Sequence, residues 1–528
     1  MSPRNLNNLM RPPGGFIILF LLAIWVVENV SAAPRADGQL QIEVVDDATG
    51  DPIAARIHLK NVRGRSVPLR IPGSAELGDH FYIDGKRELP LRLGQYTFEL
   101  EATPEYVTQT GHFEIARHAD DVKRIEMKRF TNLAEEGWYG GDLDVSRRLE
   151  DMPLIMRAEG LSVVPVTALS STLDPKRKSL ASNASAKPPI STEAGSLAFG
   201  QLGQLDERLG GGLLLFNLQK PLELTAATPA NPSSLSVLKD ARAQNGRIVA
   251  RTPYAWDFPV WLASGELDAI ELIHHHALRN DVIDNENDGR QRDKTFFPGT
   301  TGNGRWSETV YNHVLNCGLK IPPVAGSGSG TNNSPVGTNR VYVYCGDEFS
   351  YERWWEGLEA GQVFVTNGPL LRPMVEGQPP GHVFHLNDRD SLTMEIGLNL
   401  ATRVPVDYLQ IIKNGEIEAE VRLADWKEKQ GRLPKLRFDD SGWFLVRAVT
   451  SNPKNYQLAS SGPYYVEKAN TPRVSRRSVQ FFLDWIDAAS ERIGKLADIS
   501  DADRTALLAE QQSAREYFEQ LLSRANAN

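Results

Sequence analysis

The sequence predicts a multidomain protein in which an α/β barrel lies between two β-sandwiches and is followed by a helical hairpin. A chain of 528 residues is too long for a single hydrophobic core. Short alternating β runs without a helical period occupy residues 39–130 and 369–467, whereas strands and helices alternate across residues 136–368. Such alternation is typical of a parallel sheet, and seven or so strands predict a sheet that is closed, or nearly closed, into a barrel.

The first 32 residues have the pattern of a secretory signal peptide. Arg4 and Arg11 precede the apolar run Phe16–Val27, small residues follow, and cleavage is expected after Ala32. The alternative is an uncleaved membrane anchor, but the run is shorter than the roughly 20 residues that a span requires. We therefore expect an exported protein, secreted or periplasmic, with no membrane span once the signal is removed.

Charge and cysteine content restrict the possible partners. The chain has 58 basic and 67 acidic residues and a formal net charge of −9, which does not indicate a nucleic-acid partner. Its two cysteines, Cys317 and Cys345, could pair in an exported protein or remain as buried free thiols. The sequence leaves both alternatives open.

The segment 39–130 is predicted to form the first sandwich. Turn signals such as Asp84-Gly85 separate its short strands. The phrases VVDDATGDPIAARIHL and LPLRLGQYTFELEATPEY resemble the transthyretin-like, carboxypeptidase-regulatory sandwich found at the front of many exported bacterial enzymes. That resemblance implies an accessory module.

The central segment opens with a strand–helix–strand unit, Trp138–Leu169. Polar residues cluster where its first strand ends, which is where α/β folds of this kind gather their site residues. The cleft candidates there are Asp142, Asp144, Ser146 and Arg147. Asp142 has the alternative role of hydrogen-bonding the turn.

Two further groups are candidates for the same end of the barrel. His274–His276 closes a predicted strand, and because side chains alternate along a strand, His274 and His276 would share a face. One of these with Asp144 predicts a single weak site for a divalent metal, zinc or manganese, whereas packed or surface histidines are the alternative. Ser327 and Ser329 lie in a glycine-rich loop that either cradles an anion or is a plain tight loop.

Other polar segments are expected to have supporting roles. Asp206 and Glu207 precede a strand and are interpreted as structural, and His313 lies within a predicted helix, at its surface or in the core. The polar segments Asp174–Leu205 and Arg279–Arg305 are predicted to be long loops over the site.

The C-terminal third is predicted to contain the second sandwich and the helical hairpin. Asn414-Gly415 is a hairpin-turn signal within residues 369–467. Two apolar helical stripes occupy residues 475–526, and Ser500 with Asp503 forms a capping box between them.

Long phrases in the middle of the chain resemble one known family. GWYGGDLDVSRRLEDMPLIMRAEGL, DERLGGGLLLFNLQKPLEL, VLNCGLKIPPVAGSGSG and GQVFVTNGPLL are similar to the CehA/McbA, or carbaryl-hydrolase-like, branch of the polymerase-and-histidinol-phosphatase (PHP) superfamily. The resemblance covers about residues 130–470. It implies a distorted seven-stranded β/α barrel that binds two or three divalent metals and hydrolyses phosphate or carbamate esters.

Most metal-ligand positions of that family are substituted in this chain. The family's H-x-H corresponds to Asp144 and Ser146, its T-D-H to Thr167-Ala168-Leu169, its His-Pro to Thr252-Pro253, and its late G-S-D-x-H to Gly326–Gly330. Without imidazole and carboxylate ligands, a metal is not held and its bound water is not activated. A standard multi-metal hydrolase site is therefore not expected.

Three functions from different classes remain, and the least supported, a plain structural or adhesive role, rests on the two sandwiches alone. The favoured one is a pseudoenzyme whose barrel cleft binds a small molecule or glycan between two docking sandwiches. The alternative is a metal-dependent hydrolase of ester, phosphoester or carbamate bonds with a reduced site built from Asp144, His274 and His276.

Overall fold

The computed structural model describes residues 38–116, 120–169, 190–191, 198–199, 203–222, 224, 228–387 and 390–528. The predicted signal peptide and most of the predicted loop Asp174–Leu205 lie outside these residues. The described chain is multidomain and rich in β-sheet, as predicted, and its buried apolar residues form separate clusters.

The N-terminal β region, residues 38–130, contains two sheets around one apolar core. The alternating sequence explains the packing, because Leu40, Ile42 and Val44 are buried while the intervening Gln41 and Glu43 are partly exposed. The sheets have the orders β5-β1-β8 and β3-β4-β2-β6-β7. The strands are β1 (Gly38–Asp46), β2 (Ala54–Asn61), β3 (Ala75–Leu77), β4 (His80–Asp84), β5 (Lys86–Leu91), β6 (Gly94–Glu101), β7 (Gln109–Ile115) and β8 (Asp120–Met127).

The central region begins with the predicted strand, helix and strand: β9 (Trp138–Gly141), helix α1 (Met152–Glu159) and β10 (Leu161–Val163). The helix ends at Gly160, whose left-handed φ of 64° suits glycine. The remaining elements are β11 (Thr167–Leu169), β12 (Ile190–Ser191), β13 (Ala198–Phe199), β14 (Gly203–Asp206), β15 (Leu213–Phe216), α2 (Ser234–Arg242), β16 (Arg247–Ala250), α3 (Phe258–Ser264), β17 (Ala269–Ile273), α4 (Gly302–Asn316), β18 (Pro323–Ala325), β19 (Arg340–Tyr344), α5 (Tyr351–Glu359) and β20 (Val363–Thr366).

A six-stranded sheet in the order β11-β14-β15-β16-β17-β18 forms a half-barrel. Both of its edges are hydrogen-bonded to residues 142–146, the continuation of β9. Leu143 N donates to Ala325 O at 3.3 Å on one side, and Thr167 N donates to Val145 O at 2.8 Å on the other. The polar residues that follow β9 therefore lie between the two sheet edges.

The sheet is not wholly parallel, so that part of the sequence prediction is wrong. β15 runs antiparallel to both β14 and β16. The connection from β14 to β15 spans only residues 207–212, which is too short for the crossover of about a dozen residues that a parallel pair requires.

The predicted boundary at residues 368 and 369 does not separate two sheets. β19 and β20 pair antiparallel with each other rather than joining the half-barrel, and β20 then pairs with a strand from the C-terminal third. A large sheet therefore runs from β9 and β10 in the central region through β19 and β20 into the C-terminal region.

The C-terminal region contains a second apolar cluster and two long helices. Its elements are β21 (Leu370–Val375), β22 (Val383–Leu386), β23 (Leu392–Met394), β24 (Ile396–Ala401), β25 (Tyr408–Lys413), β26 (Glu416–Arg422), α6 (Leu423–Glu428), β27 (Leu436–Phe438), β28 (Gly442–Val449), β29 (Leu458–Ser461), β30 (Tyr464–Lys468), α7 (Arg476–Lys495) and α8 (Asp501–Ser523). Helices α7 and α8 pack on each other and on α3, and Ser500 Oγ accepts a hydrogen bond from Asp503 N at 3.1 Å at the start of α8. No helix in the described ranges is long and apolar enough to cross a membrane.

Cys317 and Cys345 are both buried free thiols. Burial raises the pKa of Cys345 to about 12. The sequence left open whether Cys317 and Cys345 form a disulfide, and in the structure they are not paired.

Candidate functional site

The predicted cleft residues come together where residues 142–146 pass between the two edges of the half-barrel. Asp142, Asp144, Ser146, Ser327 and Ser329 are all buried there. The loop after β18 is parallel to residues 142–146, because Ser146 N donates to Ser329 O at 2.8 Å and Ser329 N donates to Asp144 O at 3.1 Å. This pairing explains why side chains that are far apart in the sequence meet here.

Asp142 positions the backbone of these loops. Its carboxylate accepts hydrogen bonds from three backbone amides: Asp144 N at 3.2 Å, Ser327 N at 3.0 Å and Gly337 N at 2.7 Å. Burial raises the pKa of Asp142 to about 7, although these hydrogen bonds act to lower it. The structural role that the sequence left open for Asp142 is the one that its contacts support.

The three serines are also occupied by protein contacts. Ser146 Oγ lies 2.9 Å from Thr167 Oγ1, Ser327 Oγ donates to Asn339 O at 3.2 Å, and Ser329 Oγ donates to Ser334 O at 2.7 Å. They hold the loops in place beside the carboxylates.

Arg251 forms the central ion pair of the site. Its Nε donates to Asp144 Oδ2 at 2.7 Å, its Nη1 donates to Glu207, and its Nη2 donates to Thr331 Oγ1 at 3.0 Å. The side chains of Arg251 and Asp144 are 2% and 0% exposed. Although burial opposes the charge, the carboxylates of Asp144 and Glu207 raise the pKa of Arg251 above its ordinary value.

Glu207 therefore has a role that the sequence analysis did not predict. The residue follows β14, yet its carboxylate reaches the guanidinium at the centre of the half-barrel. The short β14–β15 connection folds over this end of the sheet, because β15 reverses the chain direction.

Glu271 is a second buried carboxylate beside Asp144. Both of its oxygens are buried without a hydrogen-bond partner among the described residues. Burial, together with the neighbouring Asp144 carboxylate, raises the pKa of Glu271 well above its usual range. A Cβ added at Gly326 would lie 2.1 Å from Glu271 Oε1, so the absence of a side chain at Gly326 makes room for this carboxylate.

Asp144, Glu271 and His275 form a potential cation-binding group. One ligand atom from each lies within 4.8 Å of the others. Asp144 Oδ1 and His275 Nδ1 are buried without a hydrogen-bond partner in the described chain, as are the two oxygens of Glu271. We call Asp144, Glu271, His275 and Arg251 the barrel cluster.

The group that the structure brings together differs from the metal site predicted from the sequence, which combined Asp144 with His274 or His276. β17 ends at Ile273, so the alternation of side chains along a strand does not extend through the triplet. His274 Nε2 lies 3.0 Å from Ser307 Oγ, and His276 Nδ1 lies 3.0 Å from Tyr254 Oη. His275, the residue between them, is the histidine beside Asp144.

The side chains at this site do not match the metals that the family resemblance implies. Ser146, Thr252 and the glycines Gly328 and Gly330 provide no imidazole or carboxylate ligand. The remaining donor set fits one divalent ion at most, and Arg251 already neutralises one oxygen of Asp144. Two or three ions do not fit this donor set.

Two of the cluster residues carried a sequence signal. Glu271 lies in the middle of the otherwise apolar strand AIELI. Arg251 directly follows the strand RIVA, whose last three residues are apolar. A charged residue in or beside a buried strand requires a compensating partner. That rule identifies both residues as site candidates, but it does not identify them as neighbours.

A cavity of about 550 Å³ opens beside the loops of the site. We call it the rim cavity. Ser146, Arg147, Arg148 and Gly330 line it from the central region, and the segment around Arg70 and Glu76 lines it from the N-terminal β region.

Arg147 and Arg148 differ within this cavity. Arg148 pairs with Glu150 at 2.7 Å and with Asp151 at 2.9 Å. Arg147 Nε donates to Ser329 Oγ at 3.1 Å, and in the described part of the chain no carboxylate is paired with its guanidinium. Burial lowers the pKa of Arg147 below its ordinary value. Arg147 is thus a partly buried cation available to an anion in the cavity.

Comparison with known proteins does not identify a family. No protein-family model matches the chain, and no curated protein sequence matches it significantly. Among solved structures, a β-glucuronidase from Parabacteroides merdae aligns over 80% of this chain and 62% of its own, with 11% identity and a TM-score of 0.17. A calcium-binding mutant of Bacteroides uniformis β-glucuronidase 2 aligns over 84% of this chain and 59% of its own, with 7% identity and a TM-score of 0.16. The chain thus spans about three fifths of each structure, and the low TM-scores support no argument about fold or activity.

Proposed function

We propose that this protein is an exported, CehA/McbA-like member of the PHP superfamily that has lost multi-metal hydrolysis and binds a small anionic molecule or acidic glycan. In this proposal the half-barrel and residues 142–146 together constitute the distorted seven-stranded barrel. The N-terminal and C-terminal β regions are the two sandwiches, and α7 with α8 is the helical hairpin. The hydrogen bonds that join residues 142–146 to both sheet edges support this assignment.

One observation carries the loss of catalysis: the buried ion pair between Arg251 and Asp144. A multi-metal site places two or more positive ions among its carboxylates, and those ions activate the attacking water. Here a guanidinium supplies the positive charge beside Asp144 and Glu207. A guanidinium cannot be deprotonated in proteins and coordinates no water as a Lewis acid, so it balances charge without generating a nucleophile.

The rim cavity supplies the ligand chemistry. Among the described residues no carboxylate is paired with Arg147, so its guanidinium presents free donors. Planar guanidinium groups recognise carboxylate, sulfate and phosphate oxygens with two parallel hydrogen bonds. The cavity volume of about 550 Å³ lies within the range of small-molecule sites. An acidic sugar or a short acidic glycan satisfies both features.

Binding is tested by titrating the full-length mature protein with uronic-acid-containing and neutral oligosaccharides in a calorimeter. We expect acidic ligands to bind and Arg147→Met to weaken that binding by at least about tenfold, a loss of one charge-assisted contact. Arg148→Met is the matched control, because Arg148 lines the same cavity but is paired with two carboxylates. Equal losses in the two variants, or no binding of any acidic ligand, would contradict the proposal.

Loss of catalysis is tested with activated phosphate and carboxylate esters. We expect turnover at background level with added manganese or zinc. Arg251→Met should increase the manganese affinity of the barrel cluster, because it frees Asp144 Oδ2. A chelator-sensitive turnover in the unaltered protein would overturn this part of the proposal.

The second candidate function is a hydrolase with one metal ion. The buried atoms of Asp144, Glu271 and His275 that have no hydrogen-bond partner among the described residues favour it. These three residues would hold the ion, which would supply Lewis-acid activation of a water or an ester oxygen. In this case ester turnover should fall strongly in Glu271→Gln and His275→Ala but little in His274→Ala, since His274 contacts Ser307 outside the group.

A further inference from the structure

A second group of metal-ligating side chains lies in the N-terminal β region, outside the barrel. His58 is on β2, His80 begins β4, and Asp79 lies in the turn directly before β4. β2 and β4 are antiparallel with Ile57 opposite Phe81, so His58 and His80 follow as the next facing pair. Their ring centroids are 5.0 Å apart.

The carboxylate of Asp79 lies between the two imidazoles. Asp79 Oδ1 is 2.8 Å from His80 Nδ1, and Asp79 Oδ2 is 3.6 Å from His58 Nδ1. Zinc bonds of about 2.1 Å at a tetrahedral angle separate neighbouring ligand atoms by about 3.4 Å. The two observed separations bracket that value, so small side-chain shifts bring these atoms to zinc distances.

Burial divides the group into a rigid part and an accessible part. His58 and His80 are 6% and 0% exposed, whereas the side chain of Asp79 is 57% exposed. The Nε2 atoms of both histidines are buried without a hydrogen-bond partner in the described ranges. Packing therefore fixes the two imidazoles, and an ion can enter from the solvent side at Asp79.

The charges around this group do not occupy its ligand atoms. Arg56, on the same sheet, is paired with Glu101 and Glu159. Arg279 is paired with Glu99 and Glu101. In the described chain, the ion pairs of Asp79 are those with the two histidines alone.

We propose that His58, Asp79 and His80 bind one zinc ion, with water in the fourth position. Two imidazoles and one carboxylate are a ligand set that zinc commonly takes, with open tetrahedral coordination. The ion joins β2 to the turn before β4. This inference is independent of the function proposed for the barrel.

The test is zinc titration of the full-length mature protein after dialysis against a chelator, followed by substitution with cobalt. We expect a cobalt complex with the strong visible absorption of tetrahedral coordination. We also expect Asp79→Asn and His80→Gln to weaken zinc binding by more than about tenfold. Because Asp79 is exposed, Asp79→Asn tests the site without removing a buried side chain.

Two control variants make the result decisive. His112→Gln removes an exposed histidine from β7 of the same sheet and should leave zinc binding unchanged. His275→Gln alters the barrel cluster and should also leave this binding unchanged. Unaltered zinc affinity in both Asp79→Asn and His80→Gln would overturn the proposal, whatever the effect of His275→Gln.

Discussion

The barrel cluster and the group of His58, Asp79 and His80 contain similar ligand types in different electrostatic settings. Each offers carboxylate and imidazole atoms within 4.8 Å of one another. In the barrel, Arg251 donates to Asp144 directly, and both side chains are buried. In the N-terminal β region, Asp79 is exposed and the nearby arginines are paired with other carboxylates.

This difference shows that ligand spacing alone does not define a metal site. A cation supplied by the protein competes with a metal for the same carboxylate oxygen, and in a buried site that competition is strong because water does not screen it. The barrel resembles a metal site whose charge is already balanced. In the group around Asp79 the ligand atoms contact one another, and within the described chain no guanidinium is paired with them.

The largest expected effect is on Arg251. Arg251→Met leaves Asp144 as a buried carboxylate without its cation, and loss of one partner of a buried ion pair costs about 3–5 kcal/mol of the free energy of unfolding. Chemical denaturation at neutral pH measures this cost. Arg353→Met is the control, because Arg353 and Glu348 are exposed and their pair is worth at most about 1 kcal/mol. Equal stability of the two variants would show that Arg251 does not balance the charge of the barrel cluster.

The next effect concerns the half-buried imidazole of His313, which has no carboxylate partner among the described residues. His313 stacks on Phe481 with ring centroids 4.0 Å apart, and its Nδ1 lies 3.0 Å from Ser478 Oγ. Burial, with the charges of Arg477 and Arg290, lowers the pKa of His313 to about 4 from 6.5. The folded state therefore binds fewer protons than the unfolded state between these values, and stability falls as pH falls through the interval, by at most about 3 kcal/mol.

His313→Leu should remove that part of the pH dependence. Denaturation curves at pH 7 and pH 4 compare the variant with the unaltered protein, so that the other histidines contribute equally to both. His112→Leu, at an exposed position, should leave the dependence unchanged. The argument fails if the variant loses as much stability on acidification as the unaltered protein does.

Zinc should raise the stability of the protein through the group around Asp79. An ion that binds only the folded state stabilises it by about 2.7 kcal/mol at one hundred times its dissociation constant. Thermal denaturation with and without zinc should show this gain in the unaltered protein and not in Asp79→Asn. The same gain in Asp79→Asn would assign the stabilising ion to another location.

The smallest effect tests the close approach of backbone and carboxylate in the barrel. In Gly326→Ala the new Cβ would lie 2.1 Å from Glu271 Oε1 and 2.5 Å from Asp144 Cβ, so we expect a loss of about 1–3 kcal/mol. Gly494→Ala is the matched control, since it lies in α7 with open space around it and should gain about 0.5–1 kcal/mol. A neutral Gly326→Ala variant would indicate that Glu271 has room to move away.

Local sequence patterns predicted the positions of strands and helices more reliably than they predicted which segments pack or pair with each other. The apolar strand Ala269–Ile273 and the stripe of α7 that contains Phe482 and Trp485 were recognisable because burial of one face leaves a periodic pattern in a single segment. The same rule failed at His274–His276, because the strand ends before the triplet and a turn has no period of two.

The sequence alone determined where most strands and helices lie, that the chain has several cores, and that the metal-ligand positions of the family it resembles are substituted. Only the tertiary structure decided that β15 runs antiparallel, that β20 continues the C-terminal sheet, and that Arg251 meets Asp144 from 107 positions away. Periodicity records whether a side chain is buried, whereas the identity of its neighbour depends on strand order and register between distant segments. The ion pair between Arg251 and Asp144 and the facing of His58 and His80 therefore depend on strand order and register, which periodicity does not record.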